Sequence, residues 1–145
     1  MKKTTLLKMV LILLTVLALT SIAANGLTFT TTLTGAAEVP GPGDPDGTGT
    51  ATITLFPSTS MICWEIQVSG ITLPASAAHI HEAPAGSPGD VVVTLSAPDA
   101  TGFASGCRSV DREEIVEILQ APEEYYVNVH NADYPGGALR GQLSR

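Results

Sequence analysis

The sequence predicts an all-β chain, a Greek-key sandwich or barrel of seven or eight short strands with one short helix. Three observations carry that expectation. Segments rich in β-branched residues alternate apolar and polar positions with period two. Clusters of Gly, Pro, Asp and Ser punctuate them at short intervals. A single stretch repeats its apolar residues at helical spacing. At 145 residues the chain suits one domain around one core, and neither a repeat nor a linker divides it.

The first element is not part of that domain. Lys2, Lys3 and Lys8 precede and enter a nearly unbroken apolar run from Met9 to Leu19, and small residues follow through Ala24. This pattern predicts a secretory signal peptide over 1–24, too short to be a comfortable membrane span. No cysteine follows the run, which argues against a lipid-modified lipoprotein. The alternative is an uncleaved N-terminal anchor. Cleavage would leave a secreted or extracytoplasmic domain with no membrane attachment.

From residue 27 the strands come in order. "LTFTTTLTG" alternates, and "VPGPGDPDGTG" reads as an exposed loop. "TATITLFP" and "MICWEIQVSG" form a hairpin across a short Pro-Ser-Thr-Ser turn. "AAHIH" and "DVVVTLS" are joined by the Gly/Pro loop "EAPAGSPG". "SVDREEIVEILQ" breaks the rhythm, placing Ile115, Ile118 and Leu119 on one helical face. Asp111 and Glu114 have the spacing of a capping box, and Glu113, Glu114 and Glu117 read as an exposed face. "EYYVNVH" and "GALRGQLS" return to strand.

Charge narrows the partners. All three lysines lie within residues 1–24, so the remainder carries four arginines against fourteen acidic residues, a net charge of about −10. Nucleic-acid binding needs cations to displace counterions, and this domain has almost none. An anionic membrane surface would repel it. Cys63 and Cys107 are an even pair in an oxidising compartment, which favours a disulfide over two independent buried thiols. Such a bridge would contribute on the order of 4 kcal/mol in the chain-entropy model.

Three histidines are the candidate chemistry. His79 and His81 stand at i and i+2 of a strand and share a face. In "YYVNVH" the same alternation puts Tyr126, Asn128 and His130 on one face, with Tyr125, Val127 and Val129 on the core side. Neighbouring strands would bring three imidazoles within coordination range of copper or zinc. The bland alternative is a solvated polar strand face. Glu82, Asp90 and Asp133 lie nearby but read more simply as solvated loop acids. Other chemistries lack support: no G-x-S-x-G serine context, no phosphate-binding glycine loop, no paired acid/base carboxylates.

"LTGAAEVP", "GTGTATITL", "AHIHEAPAGSPGDVVVTL" and "YYVNVHNADYPGGALRGQL" together resemble the CHRD domain, found in chordin and in many small secreted bacterial proteins. The resemblance runs over residues 27–143 and departs at Ala138, where the family usually has an acidic residue, and at Asn131, where it usually has small or polar ones. It implies an immunoglobulin-like or superoxide-dismutase-like β-sandwich. Chordin's role as an extracellular growth-factor antagonist does not transfer to an isolated domain. A more distant similarity is to copper/zinc superoxide dismutases, which carry an H-x-H pair, a later copper-ligand histidine and an anion-guiding arginine. That similarity implies His79, His81 and His130 as copper ligands and Arg140 as the guide, the alternative for Arg140 being structural bonds to loop carbonyls. No histidine remains for a zinc site or a bridging ligand.

Three readings follow, in descending order of support. The first is a secreted binding or structural module for an unidentified extracellular protein or surface ligand, with no catalytic residue. The second is a copper-binding domain with a three-histidine site. The third is a copper-only, dismutase-like enzyme.

Overall fold

A computed structural model describes residues 25–145, so the expected signal peptide over 1–24 lies outside the described residues. Among the described residues there are eight strands: β1 (Leu27–Thr34), β2 (Thr48–Phe56), β3 (Met61–Ser69), β4 (Ala77–Glu82), β5 (Asp90–Leu95), β6 (Phe103–Ser109), β7 (Tyr125–His130) and β8 (Leu139–Gln142). One α-helix, α1 (Arg112–Gln120), precedes β7. Strand order is β5-β4-β7-β8-β1-β2-β3-β6, with every pairing antiparallel. β1 and β8 meet at the single pair Thr34–Arg140. The sheet therefore divides into two four-stranded halves that close on a shared apolar interior as a β-sandwich. The chain leaves the first half after β3, forms β4 and β5, and returns to set β6 beside β3. It then crosses again through α1 to β7, so the all-β, Greek-key expectation holds.

Period-two patterning explains the interior. On β3, Ile62, Trp64, Ile66 and Val68 are buried, while Glu65, Gln67 and Ser69 between and after them are exposed. Ala51, Ile53 and Leu55 of β2 and Phe29 and Leu33 of β1 meet Ile80, Val127, Val129 and Leu139 from the other half. Each large aliphatic side chain so buried stabilises the fold by about 1.5–3 kcal/mol. Ile115 and Ile118 of α1 are fully buried, with Leu119 packed beside them.

The two end strands are joined by side chains. Arg108 Nη1 donates to the Thr94 carbonyl at 2.7 Å, and Ser96 Oγ donates to the Ser105 carbonyl at 3.2 Å. Trp64 Nε1 donates to Ser96 Oγ at 2.9 Å. Cys63 and Cys107 are register partners on β3 and β6 and are disulfide-bonded, so the bridge and not the free-thiol alternative is realised.

Two local expectations are corrected. Asp111 is the N-cap of α1 but makes no side-chain cap bond. Glu114, its expected capping-box partner, is half-buried in a cleft with Val92, Val93 and Arg108 instead of lying on an exposed face. Burial, with Glu117, Glu82 and Asp111 nearby, raises its pKa. The Pro/Gly loop after β1 is only partly exposed. Pro40, Pro42 and Pro45 face solvent, but Glu38, Gly43, Asp44 and Gly47 are buried because Asp44 N donates to the Ala138 carbonyl at 2.9 Å. That bond pulls the loop down over the β4-β7-β8 half.

Candidate metal centre

The outer face of β4, β7 and β8 is polar yet largely covered. Register sets His79 opposite Asn128, His81 opposite Tyr126, and Ala77 opposite His130. His79 and His81 thus share a face two residues apart, and His130 approaches His79 diagonally. The β4–β5 register shifts between Ile80 and His81, a bulge that re-aims the chain beside the site.

The three rings converge. One ligand atom from each of His79, His81 and His130 lies within 4.8 Å of the others. Centroid separations are 5.5 Å for His79–His81, 5.1 Å for His79–His130 and 6.3 Å for His81–His130. His79 Nδ1 and His130 Nε2 are 3.2 Å apart, joined by one shared hydrogen. Two metal–nitrogen bonds of about 2.0 Å reach nitrogens up to about 4 Å apart. The 3.2 Å pair already fits, and the widest pair would close by less than about 1 Å, within reach of a small ring rotation.

Tautomers are set from behind. His81 Nδ1 donates to the Gly89 carbonyl at 2.9 Å, and His130 Nδ1 donates to the Pro135 carbonyl at 3.0 Å. Each bond leaves Nε2 unprotonated, the way backbone carbonyls orient metal-bound imidazoles. On His130 that nitrogen accepts the His79 Nδ1 hydrogen, which would have to move to His79 Nε2 before both nitrogens could turn to a metal. His81 Nε2 is buried and has no partner. A buried acceptor without a bond costs about 1–3 kcal/mol, so one nitrogen of the cluster is satisfied by no group of the chain itself. Position 89 must be glycine: an added Cβ would collide with the Glu82 carbonyl and push the Gly89 carbonyl off His81. Burial is the main cause holding all three histidines below the ordinary imidazole pKa.

Arg140 is 1 % exposed. Its Nη1 donates to the Ser87 carbonyl at 2.8 Å, and its Nη2 to the Pro84 carbonyl at 3.0 Å and Gln142 Oε1 at 3.2 Å. Its Cζ stands 3.4 Å over the Tyr126 ring, whose plane is stacked with His81 at 4.8 Å. Tyr126 Oη in turn accepts from Gly89 N at 3.2 Å. Arg140 therefore fastens the loop between β4 and β5. Its guanidinium is enclosed by neutral oxygens and an aromatic ring, not presented at a solvent-facing mouth.

Sequence reasoning missed Glu38 and Gly89. Glu38 is buried behind the site and hydrogen-bonded by Asn128 Nδ2, and burial pushes its pKa up to about 7 against the opposing pull of Arg140. Nothing in "GAAEVPG" separates it from a solvated loop acid. Glu82, Asp90 and Asp133 are exposed, and none joins the histidine cluster among the described residues.

With this geometry in view, the chain falls in a class of β-sandwich domains carrying a histidine cluster on one sheet. The CHRD domain family matches residues 29–143, and the protein belongs to that family. No curated protein and no solved structure gives a significant match.

Proposed function

We propose that this CHRD domain is a secreted copper-binding protein that holds the ion through His79 Nδ1, His81 Nε2 and His130 Nε2. One observation carries the reading: three imidazole nitrogens converge within 4.8 Å while backbone carbonyls tie the opposite nitrogens of two of the rings. A solvated polar face would leave those nitrogens to water, but His81 Nε2 is buried with no partner. Neutral imidazoles suit copper and zinc, and copper binds such a set more tightly in the usual order of divalent affinities. A bound ion would supply a Lewis acid held by three neutral imidazoles. The chain's own contribution is rigidity: two strands, two backbone carbonyls and the Tyr126–Arg140 stack fix the rings. An enzyme that steers superoxide is not proposed, because the arginine that would guide the anion is buried against loop carbonyls. The disulfide and the apolar leader pattern support an extracytoplasmic location.

The test is a competition titration of the mature protein and its His79→Ala, His81→Ala, His130→Ala triple variant with copper and zinc. One equivalent of tightly held copper, lost in the triple variant, is expected. Equal affinities in the two proteins would return the domain to a structural or protein-binding role with the histidines as a polar network.

A further inference from the structure

The charge around the histidine cluster carries more than the existence of a site. The donor set is three neutral imidazoles, and no carboxylate joins it among the described residues. A divalent ion there would keep its full double charge. On the far side of the Tyr126 ring, β8 holds the Arg140 guanidinium 3.4 Å above the ring, and His81 on β4 stacks with the same ring. All hydrogen bonds of that guanidinium go to neutral oxygens. The acids that face this region are Glu38, buried behind Asn128, and Asp90, exposed at the start of β5. Glu38 is an incomplete counter-charge near neutral pH, because burial holds it protonated up to about 7. Asp90 is screened by solvent. His81 is buried and His79 and His130 are half-buried, so such charges act through a dielectric below that of water and each extra unit of positive charge on the ion is penalised.

Resting on the copper reading above, we infer that the site is built for monovalent copper, with Arg140 disfavouring Cu(II) and Zn(II). Three neutral nitrogens and one positive ion leave a net single charge next to the guanidinium. Loss of one electron to give Cu(II) would double that charge with no carboxylate in the cluster, among the described residues, to offset it. Arg140 thus acts as a positioning residue through its loop bonds and as an oxidation-state selector through its charge.

The experiment measures Cu(I) affinity under ascorbate and Cu(II) affinity in air, each by chromophoric competition, for the wild type, Arg140→Lys and Arg140→Gln. Ascorbate is chosen because a thiol reductant would attack the Cys63–Cys107 disulfide. Wild type is expected to bind Cu(I) more tightly than Cu(II). In Arg140→Gln the Cu(I)/Cu(II) affinity ratio should fall by about tenfold, a drop of about 59 mV in the bound one-electron couple. Arg140→Lys, which keeps the charge but loses the fork, should stay within about threefold of the wild-type ratio. Tighter Cu(II) than Cu(I) binding in the wild type overturns the inference whether or not the variants fold. So does a ratio that falls equally in Lys and Gln, since geometry and not charge would then be responsible. Failure of both oxidation states to bind would instead sink the copper reading.

Discussion

The two halves of the sandwich share one interior and differ in their outer faces. Outside β1 and β2, Thr28, Thr30, Thr50 and their neighbours stand in solvent, with Thr28 and Thr54 hydroxyls paired at 3.1 Å across the strands. On the outside of β4, β7 and β8, His81, Tyr126, Asn128 and Arg140 are buried although the strands alternate in the same way. The difference lies in the connections. The loop after β1 and the loop between β4 and β5 fold over the second half, fastened by Asp44 N to the Ala138 carbonyl and by Arg140 to the Ser87 and Pro84 carbonyls. A bare polar strand face tolerates change, whereas a covered one must satisfy every polar atom or hold something that does.

Breaking each half should therefore have separate consequences. The largest effect on stability lies in the open half. Replacing Cys63 and Cys107 with serine removes a bridge spanning a sequence separation of 44 and should cost about 4 kcal/mol by denaturant unfolding, leaving copper affinity unchanged. In the covered half, Tyr126→Leu removes the plane stacked on His81 and the acceptor for Gly89 N. Copper affinity should drop about 10- to 100-fold in a competition titration, the usual cost of losing a partner that orients a metal ligand.

A smaller effect concerns pH. The folded-state pKa of Glu38 is raised to about 7 from 4.5, so between those values the folded protein binds more protons than the unfolded chain. Its contribution is fully present below about pH 4.5 and is lost as pH rises through 7. Unfolding at pH 5 and pH 8 should show a loss on the order of 1 kcal/mol, after allowance for solvent screening, that Glu38→Gln abolishes. Smallest is Thr30→Val on the open face, which should change stability by less than about 0.5 kcal/mol. A loss of copper affinity in Thr30→Val as large as that in Tyr126→Leu would erase the contrast between the faces.

Much of this was legible in the sequence, and the limits have physical causes. Alternation located the strands of both hairpins, and it put Tyr126, Asn128 and His130 on one face. β6 left little signal, because as an end strand it buries Ala104 alone and exposes Phe103. The site's histidines were visible as HIH and VNVH, since a strand's period fixes which side chains share a face. What holds those rings was not visible. Gly89 and Pro135 act through backbone carbonyls, which no side-chain pattern reports. The burial of Glu38 depends on a loop that long-range bonds draw down. The capping-box spacing of Asp111 and Glu114 failed because the cleft beside β5 takes up the Glu114 side chain.

The most direct measurement is a crystal structure of the copper-loaded protein with anomalous scattering collected at the copper edge. One anomalous peak is expected between the rings, with His79 Nδ1, His81 Nε2 and His130 Nε2 each about 2.0 Å away. A peak elsewhere, or none between rings that keep their 3.2 Å His79–His130 hydrogen bond, would contradict it.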